Sequence, residues 1–177
     1  YLDNCRSGDW NHALRVVKWV KVLGENRDDL DLLIIAAYIH DIGWYNLLPK
    51  GKINFHEMIK YESKANKNTG KLVTELLNKM EFSKEEAQTV IKLINAADKH
   101  TSEKDDEAII VDADSLSKLC VEHFKEKYTP ESYQKVISLE EKEFPTRFKT
   151  EKGKQLYPQL LKELKEKLSK ENNTLPD

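Results

Sequence analysis

Residues 31–46 read DLLIIAAYIHDIGWYN, an apolar run that ends on two ionisable side chains, His40 and Asp41. An ionisable group drawn into an apolar interior costs stability unless it is hydrogen-bonded, paired or bound to a metal. Any fold built around this segment has to supply partners for an imidazole and a carboxylate at the edge of its core. From residue 28 to 42 the segment is apolar nearly all round, the mark of a helix at the centre of a bundle, with Gly43 as its expected stop. Successive helix residues point about 100° apart, so His40 and Asp41 converge on one point only if that point lies off the helix end.

The rest of the chain shows no strand pattern of any length and no internal repeat; its apolar residues recur at helical spacing. Residues 10–23 carry His12, Val16, Trp19, Val20 and Leu23 on one stripe, with Asp9 as the expected cap, so His12 lies on or beside a buried face. LLPKGKINF, residues 47–55, reads as an exposed connection. A helical region follows from Glu57 to Lys79, with an expected break at NKNTG, residues 66–70. Ser83 and Glu86 form a capping box that opens a helix fading near Asp98. After a polar loop, residues 108–124 read as one helix with Ile109, Ala113, Leu116, Cys120 and Phe124 in its stripe and Asp112 and Asp114 on opposite flanks. Thr129–Pro130 opens another helix that Pro145 closes, and Leu156, Leu160, Leu161, Leu164 and Leu168 mark a last one, begun or interrupted at Pro158.

The expected architecture is all-α: a single-domain bundle with its core in residues 1–128, helices over 129–170 packed on the same domain, and a frayed tail at 171–177. A chain of 177 residues suffices for one substantial core. Its net charge of −2 argues against a broad nucleic-acid footprint, which normally shows as a basic excess. The longest uncharged apolar stretch, Leu32–Ile39, is too short to cross a bilayer, and two cysteines, Cys5 and Cys120, make no disulfide framework. A cytoplasmic protein acting on a small molecule is the expectation, with its oligomeric state open.

Taken singly, His12, His40 and Asp114 each have a bland explanation as a hydrogen-bonded core histidine or an acid on a helix flank. Together, three helices each bring a metal-capable side chain to apolar surface. Two imidazoles and two carboxylates suit one divalent transition ion, manganese, iron, cobalt, nickel or zinc, rather than calcium. Helical spacing leaves Asp112 and Asp114 both open as the fourth ligand. Arg15, one position from the His12 stripe, is a candidate to hold phosphate through its planar fork, with Lys99 and Lys104 as weaker ones. Asp41, Glu57 and Glu62 are candidates to take a proton from water.

In this order of residues the sequence resembles the HD-domain metal-dependent phosphohydrolases: His12 in DWNHALRVV, His40 and Asp41 in HDIGW, and an aspartate in DADSL. The resemblance covers residues 9 to about 120 and implies an HD-type bundle with the metal between its helices. It selects Asp114, which precedes Ser115–Leu116, as the ligand, and leaves Asp112 to orient a ligand through a hydrogen bond. Some members add two histidines between the His-Asp pair and the last aspartate to hold a second metal. His56 and His100 fall in that interval but out of register, since the expected positions lie near KANKNT and Ala97, so one ion is expected. The implied activity is hydrolysis of a phosphate ester or nucleotide by metal-activated water. The alternatives are an inactive module that binds a nucleotide or a protein partner, and a two-iron oxygen-activating site that needs the extra histidines in register.

Overall fold

In the computed structural model, which describes residues 4–172, the short oily segment is a ten-residue helix of which only Leu33, Ala36 and Ala37 are buried, so it packs by one face on the bundle rather than standing at its centre. In chain order the helices are α1 (Asp9–Leu23), α2 (Leu30–Ile39), α3 (Phe55–Lys79), α4 (Lys84–Lys99), α5 (Asp105–Lys118), α6 (Val121–Lys127), α7 (Tyr133–Arg147) and α8 (Glu151–Asn172). Among the described residues there is no strand; one isolated bridge, Ile53 to Tyr128, ties the connection after α2 to the end of α6. Leu33, Ala36 and Ala37 of α2 are buried against Val16 and Val20 of α1, Val90 and Ile94 of α4 and Ile110 of α5. A second cluster, with Trp44, Phe55, Leu116, Phe124, Phe144 and Leu164, joins α6, α7 and α8 to the same body.

Several elements differ from expectation for identifiable reasons. α3 runs unbroken through residues 66–70, because Ala65, Thr69, Val73 and Leu77 continue one buried stripe whose packing outweighs the roughly 1 kcal/mol that Gly70 costs a helix. The single helix expected over 108–124 is two, turning at Leu119 and Cys120; the new direction buries Leu119, Val121 and Phe124 together. Pro130 lies in a short 3₁₀ turn ahead of α7 rather than in its first turn. Pro145 does not close α7, and Pro158 lies within α8; both are exposed, where water can satisfy the carbonyl that each proline leaves unbonded. Asp9 is the first helical residue of α1, not its cap, and its buried carboxylate accepts the Arg6 backbone N–H at 2.7 Å. Residues 171 and 172 extend α8, and the rest of the expected tail lies outside the described residues.

Two close approaches fix how the site-bearing segments sit. α2 stops at Ile39, and a 3₁₀ turn at Ile42–Trp44 is pressed against α3 through Gly43. A Cβ at Gly43 would lie 2.3 Å from the Ala65 carbonyl oxygen and 2.4 Å from Thr69 Oγ1. Gly43 is thus required by contact with α3, beyond its expected part as a helix stop. At the other end, buried Asp112 accepts backbone N–H groups from Lys149 (3.1 Å) and Thr150 (2.8 Å) and the Thr150 hydroxyl (2.6 Å), which ties α5 to the start of α8.

Gly43→Ala is expected to destabilise the protein by about 1–3 kcal/mol, because the contacted carbonyl is held inside α3 and cannot yield. The urea midpoint measures this; an unchanged midpoint would show that the turn can lift off α3 freely.

Candidate metal centre

The end of α2 turns two adjacent side chains toward one point. His40 keeps helical dihedrals, while Asp41, at φ −89° and ψ 6°, already enters the 3₁₀ turn, so the chain bends between them. α1 brings His12 to the same point and α5 brings Asp114. The Nε2 atoms of His12 and His40 are 3.1 Å apart. Asp114 Oδ1 is 3.1 Å from His12 Nε2 and 3.6 Å from His40 Nε2; Asp41 Oδ2 is 3.5 Å and 3.6 Å from the same two atoms. The four side chains sit in residues that are 0%, 4%, 9% and 4% exposed in the order His12, His40, Asp41, Asp114.

Hydrogen bonds on the far side of each ring settle the tautomers. His40 Nδ1 lies 2.9 Å from the Ala37 carbonyl and therefore carries its proton there. His12 Nδ1 lies 3.0 Å from Ser117 Oγ; that hydroxyl already donates to the Asp114 carbonyl at 2.7 Å, so it accepts from His12. Both Nε2 atoms are then lone-pair sites aimed at each other and at two carboxylate oxygens. Four acceptors at this separation repel unless a cation sits among them. Ligand bonds of about 2.1 Å at right angles put neighbouring donor atoms about 3.0 Å apart, so the observed spacing fits one transition ion. Of the four, His12, His40 and Asp41 offer ligand atoms that all lie within 4.8 Å of one another, and Asp114 joins through its contacts to both rings.

Without an ion, a proton takes the cation's place. Burial, with Lys127 nearby, drives the His12 imidazole to its neutral form. Burial opposes charge on His40 as well, but Asp41 and Asp114 outweigh it and push its pKa up to about 9. Burial also works against charge on the two carboxylates and is overcome: Arg6, His40 and Lys127 hold Asp41 well below the usual carboxylate range, and Lys118 with the two imidazoles does the same for Asp114.

These cations form an enclosing group. Arg6 stacks on Trp44, 4.1 Å from the ring centroid, and places Nη2 2.5 Å from Asp41 Oδ2. Lys127 is 3% exposed and spans Asp9 (2.7 Å) and Asp41 (3.8 Å), while Lys118 Nζ donates to Asp114 Oδ2 at 2.6 Å. The His123 ring packs on His12, centroids 5.1 Å apart, and its Nδ1 accepts from Arg15 Nη2 at 3.4 Å. A cavity of about 430 Å³ lies over the centre, with Glu62, Asp98, His100, Glu140 and Arg147 in its walls.

The fold thus gathers His12, His40, Asp41 and Asp114, and puts Glu62 and His100 in the cavity wall. The other candidates lie elsewhere. Glu57 is exposed and paired with Lys60 at 2.5 Å. Arg15 is turned to Glu126 (3.0 Å) and His123, behind the centre rather than in the cavity. Lys99 is exposed, Lys104 stands at the start of α5, and neither lines the cavity. His56 is exposed beside Lys135, so it offers nothing to a second ion, and Asp112 bonds to α8 rather than to a ligand. Sequence reasoning missed Arg6, Asp98, His123 and Lys127, and Lys118 although it follows Asp114 by one helical turn. Lys118 and Asp98 had a local signal in helical spacing; Arg6 and Lys127 come from a loop and a helix end whose direction only the fold decides.

A family model described as HD domain matches residues 9–142. No curated protein and no solved structure matches the chain.

Protein freed of metal, incubated with manganese, iron, cobalt, nickel or zinc and stripped of excess, is expected to retain about one ion per chain and to lose it in His40→Ala. The ion has to displace the proton that His40 holds below about pH 9, so apparent affinity should rise as pH climbs from about 6 to 9 and level off above. Titration calorimetry in two buffers of different ionisation enthalpy measures the released proton. Affinity independent of pH would overturn the shared-proton account.

Proposed function

The chain belongs to the HD-domain family, and from that premise we propose that it is a metal-dependent phosphohydrolase acting on a phosphate ester or nucleotide. The observation that carries the reading is the pair of opposed imidazole lone pairs, flanked by two carboxylates, at the floor of a cavity of about 430 Å³. His12, His40, Asp41 and Asp114 are the proposed ligands. A divalent ion held by them supplies Lewis-acid polarisation of a phosphoryl oxygen and acidifies an attacking water.

The chain's own residues supply the rest. Arg6 and Lys127 both reach Asp41 Oδ2, the oxygen that also faces the two imidazoles, and so leave the carboxylate little freedom to swing away from the centre. Lys118 and Arg147, both in the cavity wall, take the phosphate-holding part in place of Arg15 and Lys99, which lie outside it. The Arg147 guanidinium lies 5.3 Å from the centroid of the Phe144 ring and is paired with Glu143, a pairing that an arriving phosphate has to displace. Asp98 is the proposed proton acceptor. Burial and the neighbouring Asp41 charge raise its pKa to about 7, and positive charge arriving at the centre draws it back to the carboxylate form that accepts a proton. Glu62, exposed at the mouth, is a second carboxylate able to pass that proton to solvent.

Metal-loaded protein is to be screened against nucleotides and simple phosphate esters. Release of phosphate or pyrophosphate is expected, falling to the metal-free background in His40→Ala and Asp114→Asn; full metal-dependent activity in either variant would overturn the assignment. On an accepted substrate, Arg147→Met should raise KM about tenfold and change kcat little, as expected of a residue that binds phosphate in ground and transition states alike. A metal-loaded protein inert to the whole panel, yet raised in Tm by one nucleotide, would mark a binding module instead.

A further inference from the structure

Glu140, on α7, is 6% exposed and forms part of the cavity wall, and its Oε2 is buried with no hydrogen-bond partner. The nearby cations are engaged elsewhere: Lys118 is bound to Asp114, and Arg147 to Glu143. Burial dominates the charge of Lys118 and Arg147 and raises the carboxyl's pKa to about 8, so near neutrality the group both donates and accepts. A buried carboxyl with an unpartnered oxygen is a stability cost, and an apolar side chain of similar volume is generally tolerated better in such a place. The cavity around it is otherwise ready for an organic group: Trp44, Phe55, Met58, Tyr128 and Val136 supply apolar and aromatic wall, and Ile59 and Leu139 stand partly exposed as part of its lining.

We propose that Glu140 determines specificity for the alcohol part of the phosphate ester, by hydrogen-bonding a hydroxyl or amino group on it while its carbon skeleton lies on the apolar wall. The inference rests on the phosphohydrolase reading and narrows it to esters of alcohols that carry a second polar group. An alcohol without that group leaves the Glu140 carboxyl desolvated and unbonded, which is the penalty a site built to hydrogen-bond its substrate uses to reject analogues.

The test compares three phosphate esters with primary alkyl leaving groups, n-butyl phosphate, ribose 5-phosphate and 2-aminoethyl phosphate, in metal-loaded wild type, Glu140→Gln and Glu140→Met. With leaving groups of one class, a part in protonating the leaving oxygen would weaken all three alike. The expected result for Glu140→Met is a raised Tm, kcat/KM for n-butyl phosphate within about twofold of wild type, and a fall of about tenfold or more for the ribose or the aminoethyl ester. Whichever ester falls identifies the polar group as hydroxyl or amine. Glu140→Gln should keep the hydroxyl-bearing ester within a few fold. Equal losses on all three esters, no loss on any, or a lowered Tm in Glu140→Met would overturn the proposal. The same selectivity is read as binding, from the Tm rise given by the corresponding phosphonates. Selective loss of that rise in a protein that turns over nothing supports Glu140 while refuting hydrolysis; no turnover and no binding of any probe overturns both.

Discussion

Two imidazole lone pairs 3.1 Å apart, with carboxylate oxygens beside both, cannot rest in a protein interior without positive charge among them. Much of the surrounding structure serves that requirement. Ala37 and Ser117 hold the ring protons on the outer nitrogens, so neither ring can relieve the conflict by changing tautomer. The short α2 and the 3₁₀ turn after it put His40 and Asp41 at one point, and Gly43 allows that turn to press on α3. Arg6, Lys127 and Lys118 balance the carboxylates. The apolar run ending on His40 and Asp41 is tolerable because its end faces a place that demands a cation.

The parts of this arrangement written in local sequence were legible. Helical periodicity located α1, α2 and α4 closely, and the adjacent His40 and Asp41 implied a helix end, since no continuing helix brings neighbouring residues to one point. What escaped depends on where one element turns relative to another. The stripe from Ile109 to Phe124 is consistent with one straight helix, but the turn at Leu119 and Cys120 redirects it and carries His123 and Lys127 to the centre. Asp112 and Asp114 flank the same stripe, and spacing alone cannot say that one faces the histidines and the other the start of α8. Arg15 lies near the His12 stripe, yet Glu126 and His123 from α6 take its guanidinium, an outcome fixed by packing.

The prolines and the glycine of α3 follow the same logic at lower stakes. Each is a local penalty read correctly in kind, but its effect depends on whether the side affected faces water or core. Pro145 and Pro158 are exposed and are accommodated within helices; Gly70 adjoins a buried stripe that continues across it. Gly43 lies where another helix touches the backbone, and there the absence of a side chain is a steric necessity.

Two acids of the cavity wall, half-buried Asp98 and buried Glu140, both have raised pKa values, near 7 and 8, yet their surroundings suit them to different work. For Asp98 the largest influence after burial is the charge of Asp41, a proposed ligand, so neutralising that charge with a divalent ion removes one of the influences that hold its proton. For Glu140 the largest electrostatic influences are Lys118 and Arg147, which already favour the charged form and are outweighed by burial. A phosphate drawing on those two cations weakens their pull on Glu140 and favours its protonated form further. The charge of a proposed metal ligand thus acts most strongly on Asp98, and that of the proposed phosphate-binding cations on Glu140, so the two acids answer chiefly to different parts of one cavity.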